Sequence, residues 1–313
     1  MRILVTGGGG FVGSHVAEAY RNAGHHVAVV DVLSGGRRNN TPPGVMFYRM
    51  DIRRPELAEV FREERPEIVS HHAAEANVRA SIANPVADAD TNVLGTLRVL
   101  ELAVRYHVSQ LVFSSTAGAL YGEPQRLPVG EDHPILPTAP YGFHKYLGEQ
   151  YLEYYRRMHG LNTTILRYGN VYGPRQDPQT EAGVIAIFAA AMLAGRRPTI
   201  FGDGTQVRDF VYVGDVADAN LRVVGRRIDE PVHIATGVGT SVNDLAEALR
   251  GLTGAAHRPE HGPAMPGEVH TIVLSPGRAA RLLDWRPRVP LEEGLRRTVE
   301  WFRQQSSTSA TSA

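Results

Sequence analysis

The sequence predicts an α/β fold in which a doubly wound parallel sheet is joined by a smaller, mainly C-terminal lobe. Short runs rich in valine, isoleucine and leucine alternate with amphipathic helical segments over residues 3–170, and this alternation is typical of repeated βα units. A glycine-rich turn separates the first run from the first helical segment. The alternation breaks after Arg175, and 313 residues are more than one compact core usually holds. We therefore expect two lobes.

Composition and charge exclude several classes of protein. Hydrophobic residues make up 42% of the chain, charged residues make up 21%, and the formal net charge is zero. These values are typical of a soluble globular protein and argue against a nucleic-acid partner. The absence of cysteine excludes disulfides, thiolate catalysis and cysteine-based zinc sites. The longest apolar run, Val184–Ala194, is too short to span a bilayer. A strand-like run follows Met1 and Arg2 directly, so we expect no signal peptide, no membrane partner and a cytoplasmic protein.

The first βα unit carries a turn that suits a diphosphate. The predicted strand Ile3–Thr6 leads into Gly7, Gly10 and Gly13, and the helix Ser14–Ala23 follows. Glycines at this G-x-x-G-x-x-G spacing permit a tight turn and let phosphates approach the backbone N–H groups at a helix N-terminus. A glycine-rich turn alone is weak support, but its position between a strand and a helix strengthens it.

The end of the second strand favours NAD over NADP. The predicted strand His26–Val30 ends at Asp31, 18 positions after Gly13, where a carboxylate can accept hydrogen bonds from the adenosine ribose. The same charge would repel a 2′-phosphate, although Arg37 and Arg38 lie just beyond and argue in the other direction. Together these features predict a Rossmann-type domain that binds NAD. The alternative is a strand–turn–helix unit without a ligand.

Two further strands end in residues that would line the cofactor. The strand Val45–Met50 is followed by Asp51 and Ile52, which could border the adenine. The strand Ile68–Ser70 is followed by His71-His72-Ala73-Ala74-Glu75. Adjacent histidines at a strand end point to opposite faces, and nothing else in the sequence completes a coordination set. We therefore predict no metal and interpret this segment as a wall of the nicotinamide pocket.

The next strand, Leu111–Phe113, runs into three hydroxyl residues, Ser114, Ser115 and Thr116. Ligands bind at the carboxyl ends of strands in parallel sheets, so we expect these hydroxyls to face a bound molecule. The alternative is a polar strand end whose hydroxyls bond only to their own backbone.

The helix predicted over Tyr141–His159 begins with a tyrosine and a lysine four positions apart. Arginine accounts for 32 of the 33 basic residues, and Lys145 is the only lysine in the chain. On a helix, Tyr141 and Lys145 share one face about one turn apart. An ammonium group near a phenol favours the phenolate, so we expect Lys145 to lower the pKa of Tyr141 and make it a usable base. The spacing alone also fits a surface helix with an incidental tyrosine.

The remaining segments complete the prediction. The other helices are expected at Pro55–Glu64, Pro85–Tyr106, Ala182–Ala194, Val213–Arg226, Ser241–Leu252 and Leu291–Gln304, the other strands at Asn162–Arg167 and Pro198–Phe201, and loops at Gly202–Phe210 and Gly254–Gly267. We assign residues 1–170 to the NAD-binding domain, with residues 203–236 and 270–285 returning to it. Residues 171–202 and 237–305 would form a substrate-binding lobe, and residues 306–313 a disordered tail.

These residues together resemble the extended short-chain dehydrogenase/reductase family, and within it the NAD-dependent epimerase/dehydratase branch that acts on sugar nucleotides. The glycine turn, the pair Tyr141 and Lys145 in a Y-x-x-x-K motif, and Thr116 match the family pattern. The segments Arg167–Pro174 and Arg208–Asp215 match two further signatures. The similarity covers nearly the whole chain and is greatest to the UDP-glucose 4-epimerases.

The resemblance implies an NAD-dependent isomerase that epimerises carbon 4 of a nucleotide sugar, with UDP-glucose and UDP-galactose as the expected pair. Tyr141 would take the proton of the 4-hydroxyl, Lys145 would lower the pKa of Tyr141 and bind the nicotinamide ribose, and Thr116 would bond the same hydroxyl. The 4-keto sugar would then turn over and be reduced from its other face. The residues expected to contact NAD are Gly7, Gly10, Phe11, Val12, Gly13, Asp31, Ser34, Gly35, Asp51, Ile52, His72, Ala73, Ala74, Asn92, Ser114, Ser115, Tyr141, Lys145, Tyr168 and Val171. Those expected to contact the nucleotide sugar are Thr116, Ala117, Tyr141, Asn170, Arg208, Glu268 and Ile272.

Several positions depart from the family pattern. His144 stands where serine is common, Glu75 where glutamine is usual, and Met265 where an arginine lies near the diphosphate. The family's sugar-size gate falls on Ile272. A side chain smaller than tyrosine at that position could admit N-acetylated sugars.

Related activities and the oligomeric state follow from the same resemblance. Dehydratases and decarboxylating relatives need a carboxylate after the threonine, whereas Ala117 and Gly118 follow Thr116 here and cannot transfer a proton. The remaining alternatives are another nucleotide-sugar epimerase or 4-keto reductase, acting on a UDP-N-acetyl or dTDP sugar, or a non-catalytic NAD-binding sensor. The resemblance also implies a homodimer, in which helices Pro85–Tyr106 and Tyr141–His159 of two copies form a four-helix interface.

Overall fold

A parallel sheet forms the centre of the protein. The computed structural model describes residues 1–179, 183–264 and 269–311, with side chains as far as residue 305. The strands of these residues are β1 (Arg2–Thr6), β2 (His26–Asp31), β3 (Met46–Arg49), β4 (Ile68–His71), β5 (Gln110–Thr116), β6 (Asn162–Tyr168), β7 (Asn170–Tyr172), β8 (Thr199–Phe201), β9 (Val207–Tyr212), β10 (Val232–Ile234), β11 (Gly239–Ser241) and β12 (Glu260–Gly262). Seven of these described strands form one parallel sheet in the order β10-β6-β5-β4-β1-β2-β3.

The apolar strands explain why this sheet is buried on both faces. Ile3, Leu4 and Val5 of β1 are each at most 2% exposed, although successive residues of a strand point to opposite faces. The order of the strands reverses at β1, with β2 on one side and β4 on the other, and ligands bind in the crevice at the carboxyl ends of the strands at such a point. The predicted α/β fold with a doubly wound parallel sheet is confirmed.

Helices cover the two faces of the sheet. They are α1 (Phe11–Asn22), α2 (Leu57–Glu64), α3 (Val78–Ala83), α4 (Pro85–Ala89), α5 (Thr96–Arg105), α6 (Pro140–His159), α7 (Val184–Leu193), α8 (Val213–Arg222), α9 (Val242–Thr253), α10 (Gly277–Leu283) and α11 (Leu291–Thr311). Helices α1, α8 and α10 pack on the face that carries Val5, and α2, α5 and α6 pack on the face that carries Leu4. In the described ranges, none of the helices combines the length and apolarity needed to cross a membrane.

The long helix predicted over Pro85–Tyr106 is one helical stretch, but it is not regular throughout. A π-helical turn, Asp90–Gly95, separates α4 from α5. Gly95 packs against Ile52, since a Cβ on this glycine would lie 2.7 Å from the Ile52 Cδ1 atom. π-helical turns often occur at functional sites, and this one places Asn92 at the end of β4.

The second half of the chain departs from the predicted loops. Strand β9 occupies part of the segment Gly202–Phe210, because it bonds to β7 on one side and to β11 on the other. Strand β12 interrupts the loop predicted over Gly254–Gly267 by pairing with β8, and β10 joins the main sheet beside β6. Strands β10 and β12 have three residues each, so their sequences contain too few residues to show a period of two.

The C-terminal helices form a core of their own. Helices α7, α9 and α11 pack together around Phe188, Leu249 and Leu295. The backbone of α11 continues to Thr311, so residues 306–311 are helical where composition predicts a disordered tail. Extending an existing helix costs much less free energy than nucleating one, which explains the difference. The division into two domains stays a prediction.

A buried carboxylate ties strand β9 to the rest of the molecule. Asp209 is 0% exposed and accepts hydrogen bonds from the N–H groups of Thr236, Gly237 and Leu274 at 2.8, 2.9 and 3.2 Å. The hydroxyl of Thr236 donates a fourth bond at 2.6 Å. Burial raises the pKa of Asp209, and these bonds act against that shift. Because Arg208 precedes Asp209 in the chain, the hydrogen bonds to Asp209 also fix the backbone position of Arg208.

Replacing Asp209 by alanine should lower the free energy of unfolding by about 3 kcal/mol, because several buried donors lose their acceptor. Denaturant unfolding at pH 7, followed by circular dichroism, measures the loss. Asp229→Ala is the control, since the Asp229 side chain is 52% exposed in its ion pairs with Arg156 and Arg227, and it should cost under about 1 kcal/mol. Equal losses in the two variants would contradict the anchoring role of Asp209.

Candidate active site

The glycine turn after β1 presents free backbone N–H groups. A Cβ on Gly7, whose φ is +70°, would lie 2.5 Å from the backbone nitrogen of Ala73, so the turn packs directly on the end of β4. Among the described residues no side chain caps α1, and Ser14 N donates the first helical bond to Gly10 O at 3.2 Å. The N–H groups of Phe11, Val12 and Gly13 therefore remain available at the helix N-terminus, where they fit a diphosphate.

Asp31 lies beside this turn, as the sequence predicts. Its Oδ2 accepts a hydrogen bond from Gly9 N at 2.8 Å, and its Oδ1 accepts one from Leu33 N at 2.7 Å. A carboxylate oxygen has a second lone pair, so both oxygens can still accept a bond from a ribose hydroxyl. Ser34 and Gly35 follow in the loop that leaves β2, with Ser34 exposed and Gly35 half-buried.

The two arginines that follow this loop make other contacts. Arg37 forms an ion pair with Asp177 at 3.7 Å, and its N–H donates to Gly9 O at 2.9 Å. The Arg38 guanidinium lies 4.5 Å from the centre of the Phe47 ring. Both arginine side chains therefore contact protein groups. The carboxylate of Asp31 is the charge that remains at the end of β2.

An open pocket of about 460 Å³ lies where β2 and β3 end. It is lined by Val32, Arg49, Met50, Asp51, Arg54 and Glu56. Asp51 is thus placed to border an adenine, and its pKa is lowered chiefly by hydrogen bonds from Arg53. Ile52 is 4% exposed and packs in the core, so its predicted side-chain contact with the cofactor is not supported. The exposed Val32 is a lining residue that the sequence reasoning missed.

His71 is a structural residue. Thr96 Oγ1 donates to Asn92 O at 2.7 Å, so it must accept from Nε2–H of His71 at 3.1 Å. Nδ1 of His71 then accepts from Thr6 Oγ1 at 2.6 Å. Burial lowers the pKa of His71 to about 3, and Lys145 adds to the shift. A neutral His71 therefore links β1, β4 and α5.

His72 faces the other side of β4 and retains an unused nitrogen. Its Nε2 bonds to Ser70 Oγ at 2.9 Å, and its Nδ1 is buried without a hydrogen-bond partner in the part of the chain that the structure describes. Burial lowers the pKa of His72 to about 3. Ala73 and Ala74 continue this half-buried wall. The described residues contain no cluster of three or more candidate metal ligands.

Two predicted cofactor residues serve the fold instead. Asn92 is 2% exposed, and its amide exchanges two hydrogen bonds with the backbone of Glu75, at 3.0 and 2.9 Å. Ser115 is 3% exposed, and its hydroxyl donates to Glu149 Oε1 at 2.6 Å. A side-chain contact between either residue and NAD is therefore not supported, because each polar group is already bonded within the core.

Tyr141, Thr116 and Lys145 come together at the carboxyl end of β5. The Thr116 side chain approaches the phenol of Tyr141 and acts to lower its pKa. Lys145 is 5% exposed, and its Nζ donates to the carbonyl of Ser114 at 2.8 Å while lying 4.8 Å from the centre of the Phe113 ring. Proline at the first position of α6 suits the start of this helix. The structure thus brings the predicted catalytic trio to one place.

The pKa of Tyr141 is raised in this structure, and the expected lowering of that pKa by Lys145 stays a prediction. Burial raises the pKa of Tyr141, the Asp88 carboxylate raises it further, and the Thr116 side chain acts in the opposite direction. Burial also lowers the pKa of Lys145 to about 8, against the effects of Asp88 and Glu149. The physical reason is desolvation, which disfavours both the phenolate and the ammonium.

Of the predicted substrate residues, Asn170 and Arg208 carry polar side chains, whereas the apolar Ala117 and Ile272 are buried. Asn170 starts β7 beside Gly118, since a Cβ on Gly118 would lie 3.5 Å from Asn170 Oδ1. The Arg208 guanidinium reaches the carbonyls of Val207 and His270 at 3.0 and 3.1 Å. Ala117 and Ile272 are 0% and 1% exposed.

Ala117 and Ile272 belong to a common apolar cluster with Leu274. The predicted role of Ile272 as a sugar-size gate is therefore not supported, because its side chain has no open face. Glu268 and Met265 lie outside the described residues. Tyr168 is buried and exchanges hydrogen bonds with Asn220 at 3.2 and 2.9 Å, and Val171 is half-buried.

A buried ion pair, which the sequence analysis did not predict, lies behind the site. Arg167 and Glu149 are 3% and 2% exposed and are joined by bonds of 2.6, 2.9 and 3.2 Å. Arg167 also donates to the Tyr121 hydroxyl at 2.8 Å. Glu149 stands four positions after Lys145, so the helical period already placed both on one face of α6.

The chain is similar to known epimerases along nearly its whole length. The model of the NAD dependent epimerase/dehydratase family matches residues 3–237. A UDP-glucose 4-epimerase of Mycolicibacterium smegmatis is 41% identical over 98% of this chain and 100% of that protein. The crystal structure of the Thermotoga maritima UDP-glucose 4-epimerase with UDP-glucose is 46% identical, with a TM-score of 0.96 over 98% of this chain and 100% of that one. The Thermus thermophilus UDP-glucose 4-epimerase in complex with NAD is 45% identical, with a TM-score of 0.92 over 97% and 99%.

The pKa of Lys145 can be measured directly, because it is the only lysine in the chain. In protein labelled with ¹³C-lysine, the single Cε resonance should titrate with a midpoint near pH 8 rather than at the ordinary 10.5. The unfolded chain then binds more protons than the folded chain between these values, so the free energy of unfolding should rise with pH across that window. The same titration in denaturant is the control. A folded-state midpoint at or above 10.5 would contradict the desolvation of Lys145.

Proposed function

Because the chain belongs to the NAD dependent epimerase/dehydratase family, we propose that it interconverts UDP-glucose and UDP-galactose by epimerisation at carbon 4. The observation that carries the proposal is the approach of Thr116 to the Tyr141 phenol, with Lys145 one turn further along the same helix. The similarity to UDP-glucose 4-epimerases over nearly the whole chain supports this choice of activity and of sugars.

The residues present fit NAD. The free N–H groups of Phe11, Val12 and Gly13 would hold the diphosphate, and the carboxylate of Asp31 would bind the adenosine ribose. The unpartnered Nδ1 of His72 offers a further polar contact near the end of β4. NAD held by these residues would supply the hydride-transfer chemistry that oxidation and reduction at carbon 4 of the sugar require.

Tyr141 is the general base of the proposed reaction. Thr116 approaches the phenol and would orient the 4-hydroxyl of the sugar toward it, so that the proton moves to the phenolate form of Tyr141 as the carbon–oxygen bond becomes a carbonyl. Lys145, held by the Ser114 carbonyl, supplies a positive charge on the same face of α6 as the phenol. Tyr141 then returns the proton to the 4-oxygen when the carbonyl is reduced.

The neighbouring residues are consistent with epimerisation and not with elimination of water. Ala117 and Gly118 follow Thr116, and the polar side chains of Asn170 and Thr116 approach Gly118. An amide can bind a sugar hydroxyl or phosphate oxygen but cannot act as an acid or base near neutral pH. Asn170 and Arg208 would hold the nucleotide diphosphate while the keto sugar rotates.

Replacing Tyr141 by phenylalanine should lower kcat for UDP-galactose by about 10²- to 10⁴-fold, because the phenylalanine ring cannot accept the 4-hydroxyl proton. Purified wild-type protein, with no coenzyme added, is incubated with UDP-glucose or UDP-galactose, and the sugars are separated by chromatography. NAD binding to Tyr141→Phe, measured by calorimetry, should stay close to that of the wild type.

Tyr151→Phe provides the matched control, since it removes a hydroxyl from the same helix and should leave turnover unchanged. Full activity of Tyr141→Phe would refute the assignment of the base. A wild-type protein that consumes stoichiometric NADH and does not interconvert the sugars would instead favour a 4-keto reductase.

We further propose a cytoplasmic homodimer, in which the helical stretch of α4, the π-helical turn and α5 pairs, together with α6, with the same elements of a second copy. These elements carry apolar side chains that face solvent in the single chain. Val86 is 77% exposed, Leu94 57%, Phe143 51% and Met158 65%. Val86 and Leu94 also line an open groove of about 550 Å³ between these helices. Contiguous exposed apolar surface of this kind marks an interaction site.

The double variant Val86→Glu/Leu94→Glu should be monomeric at concentrations where the wild type is dimeric, because two carboxylates per copy would lose their hydration in the interface. Sedimentation equilibrium measures the mass. The control is Val238→Glu, which places the same charge on a residue that is 63% exposed in the second half of the chain. A wild-type protein that stays monomeric would contradict the proposal.

A further inference from the structure

Helix α6, which carries Tyr141, begins without a capping side chain from its own segment. Ala139 stands at the N-cap position, and its methyl group cannot accept a hydrogen bond. At this position serine, threonine, aspartate or asparagine usually accepts a bond from one of the first N–H groups of the helix. Pro140 has no N–H group, and Phe143 N donates to Ala139 O at 3.2 Å. The N–H groups of Tyr141 and Gly142 therefore need acceptors from outside the helix.

Ser81 of α3 supplies the acceptor for Tyr141. Its Oγ accepts a hydrogen bond from the backbone N–H of Tyr141 at 3.1 Å, and its hydroxyl donates to the carbonyl of Val78 at 2.7 Å. Ser81 is 0% exposed. Because the hydroxyl hydrogen is used in the bond to Val78, the lone pairs of Oγ remain as acceptors for the N–H of Tyr141. A side chain of α3 thus caps α6.

Helix α3 is itself fixed beside the end of β4. Asn77 caps α3, since its Oδ1 accepts a hydrogen bond from Ala80 N at 3.1 Å. The backbone N–H of Asn77 donates to the Glu75 carboxylate at 3.3 Å, and the backbone of Glu75 exchanges two bonds with the buried amide of Asn92. Hydrogen bonds therefore connect α3, from which Ser81 projects, to the π-helical turn that contains Asn92.

We propose that Ser81 is a positioning residue for the reaction, which fixes the backbone from which the Tyr141 phenol projects. The inference rests on the proposed function of Tyr141 as the base. Two rotatable bonds separate the backbone of a tyrosine from its ring, so fixing the backbone N–H leaves few positions for the phenol. A Cβ on the neighbouring Gly142 would lie 2.1 Å from the carbonyl oxygen of Ala119. The first turn of α6 is therefore fixed both by this close packing and by the bond to Ser81.

A second serine allows the effect of a cap on stability to be separated from its effect on the base. Ser241 caps α9, because its Oγ accepts a hydrogen bond from Asp244 N at 3.0 Å. The bond has the same chemistry as the bond between Ser81 and Tyr141, but it holds a helix of the C-terminal core. Loss of either hydroxyl removes one helix cap, and only the loss at Ser81 frees the backbone of the base.

The test compares Ser81→Ala with Ser241→Ala. Both variants should unfold at a lower denaturant concentration than the wild type, because each loses one cap. In Ser81→Ala, kcat for UDP-galactose should fall by about 10- to 10²-fold, since a small misplacement of a catalytic group has an effect of this size. KM should stay close to the wild-type value, because the buried hydroxyl of Ser81 bonds to protein groups. Ser241→Ala should keep the kcat of the wild type.

The conservative variant is Ser81→Thr, which keeps a hydroxyl that can accept from the N–H of Tyr141. It should recover most of the kcat that Ser81→Ala loses. All variants are compared under conditions where circular dichroism shows that they are folded. The proposal is overturned if Ser81→Ala and Ser241→Ala lose the same fraction of kcat, if Ser81→Ala changes KM alone, or if folded Ser81→Thr is as slow as Ser81→Ala.

A second readout does not depend on catalysis. In protein labelled with ¹⁵N-tyrosine, the amide signal of Tyr141 is identified by its absence from the spectrum of Tyr141→Phe. In Ser81→Ala this amide hydrogen should exchange with deuterium at least about tenfold faster than in the wild type, because the first turn of α6 opens more often. Ser241→Ala should leave the exchange rate unchanged.

The exchange measurement separates failure of the inference from failure of the proposed function. An unchanged rate in folded Ser81→Ala would show that Ser81 does not hold the backbone of Tyr141. A faster rate, in a protein whose wild type does not interconvert the UDP-sugars, would confirm the contact and refute the proposed function.

Discussion

The close approach of α6 to β5 is the constraint on which the catalytic centre depends. Two glycines permit it, since a Cβ on Gly142 would lie 2.1 Å from a backbone carbonyl oxygen and one on Gly148 would lie 2.8 Å from the ring of a core phenylalanine. Glu149 then joins the helix to the sheet through bonds to Ser115 and Arg167. Because the phenol and the ammonium lie on the same helix face as Glu149, this contact aligns both with the end of β5. Larger side chains at either glycine would push the helix away from the strand.

The burial that aligns these groups also opposes their charged forms. Desolvation lowers the pKa of Lys145 to about 8 and raises that of Tyr141, because it disfavours both the ammonium and the phenolate. The carboxylates of Asp88 and Glu149 favour the ammonium, but Asp88 disfavours the phenolate. The pKa values of Tyr141 and Lys145 therefore depend both on burial and on the neighbouring carboxylates.

Much of the expected NAD-binding site was predictable from the sequence, because each motif that identifies it is a short segment of the chain. The glycine turn, Asp31 and the two residues Tyr141 and Lys145 each depend on chain geometry within one βα unit or one helical turn. The same reasoning does not decide which of two faces a side chain occupies. Ser115 and Ile272 were expected to reach ligands, and in the folded chain both side chains are buried. A motif shows that a residue type is present at a position, but not whether its side chain points toward the cleft.

By itself, the sequence determined the order of the βα units, the preference for a dinucleotide and the chemistry of a tyrosine base with one lysine, because spacing and composition encode backbone geometry and functional groups. Tertiary structure alone decided which charges face that base. Asp88 and His144 belong to different helices, and Glu149 meets Arg167 only after β6 has paired with β5. Electrostatic energy depends on separation in space and on loss of water, and neither quantity can be read along the chain before the helices pack on the sheet.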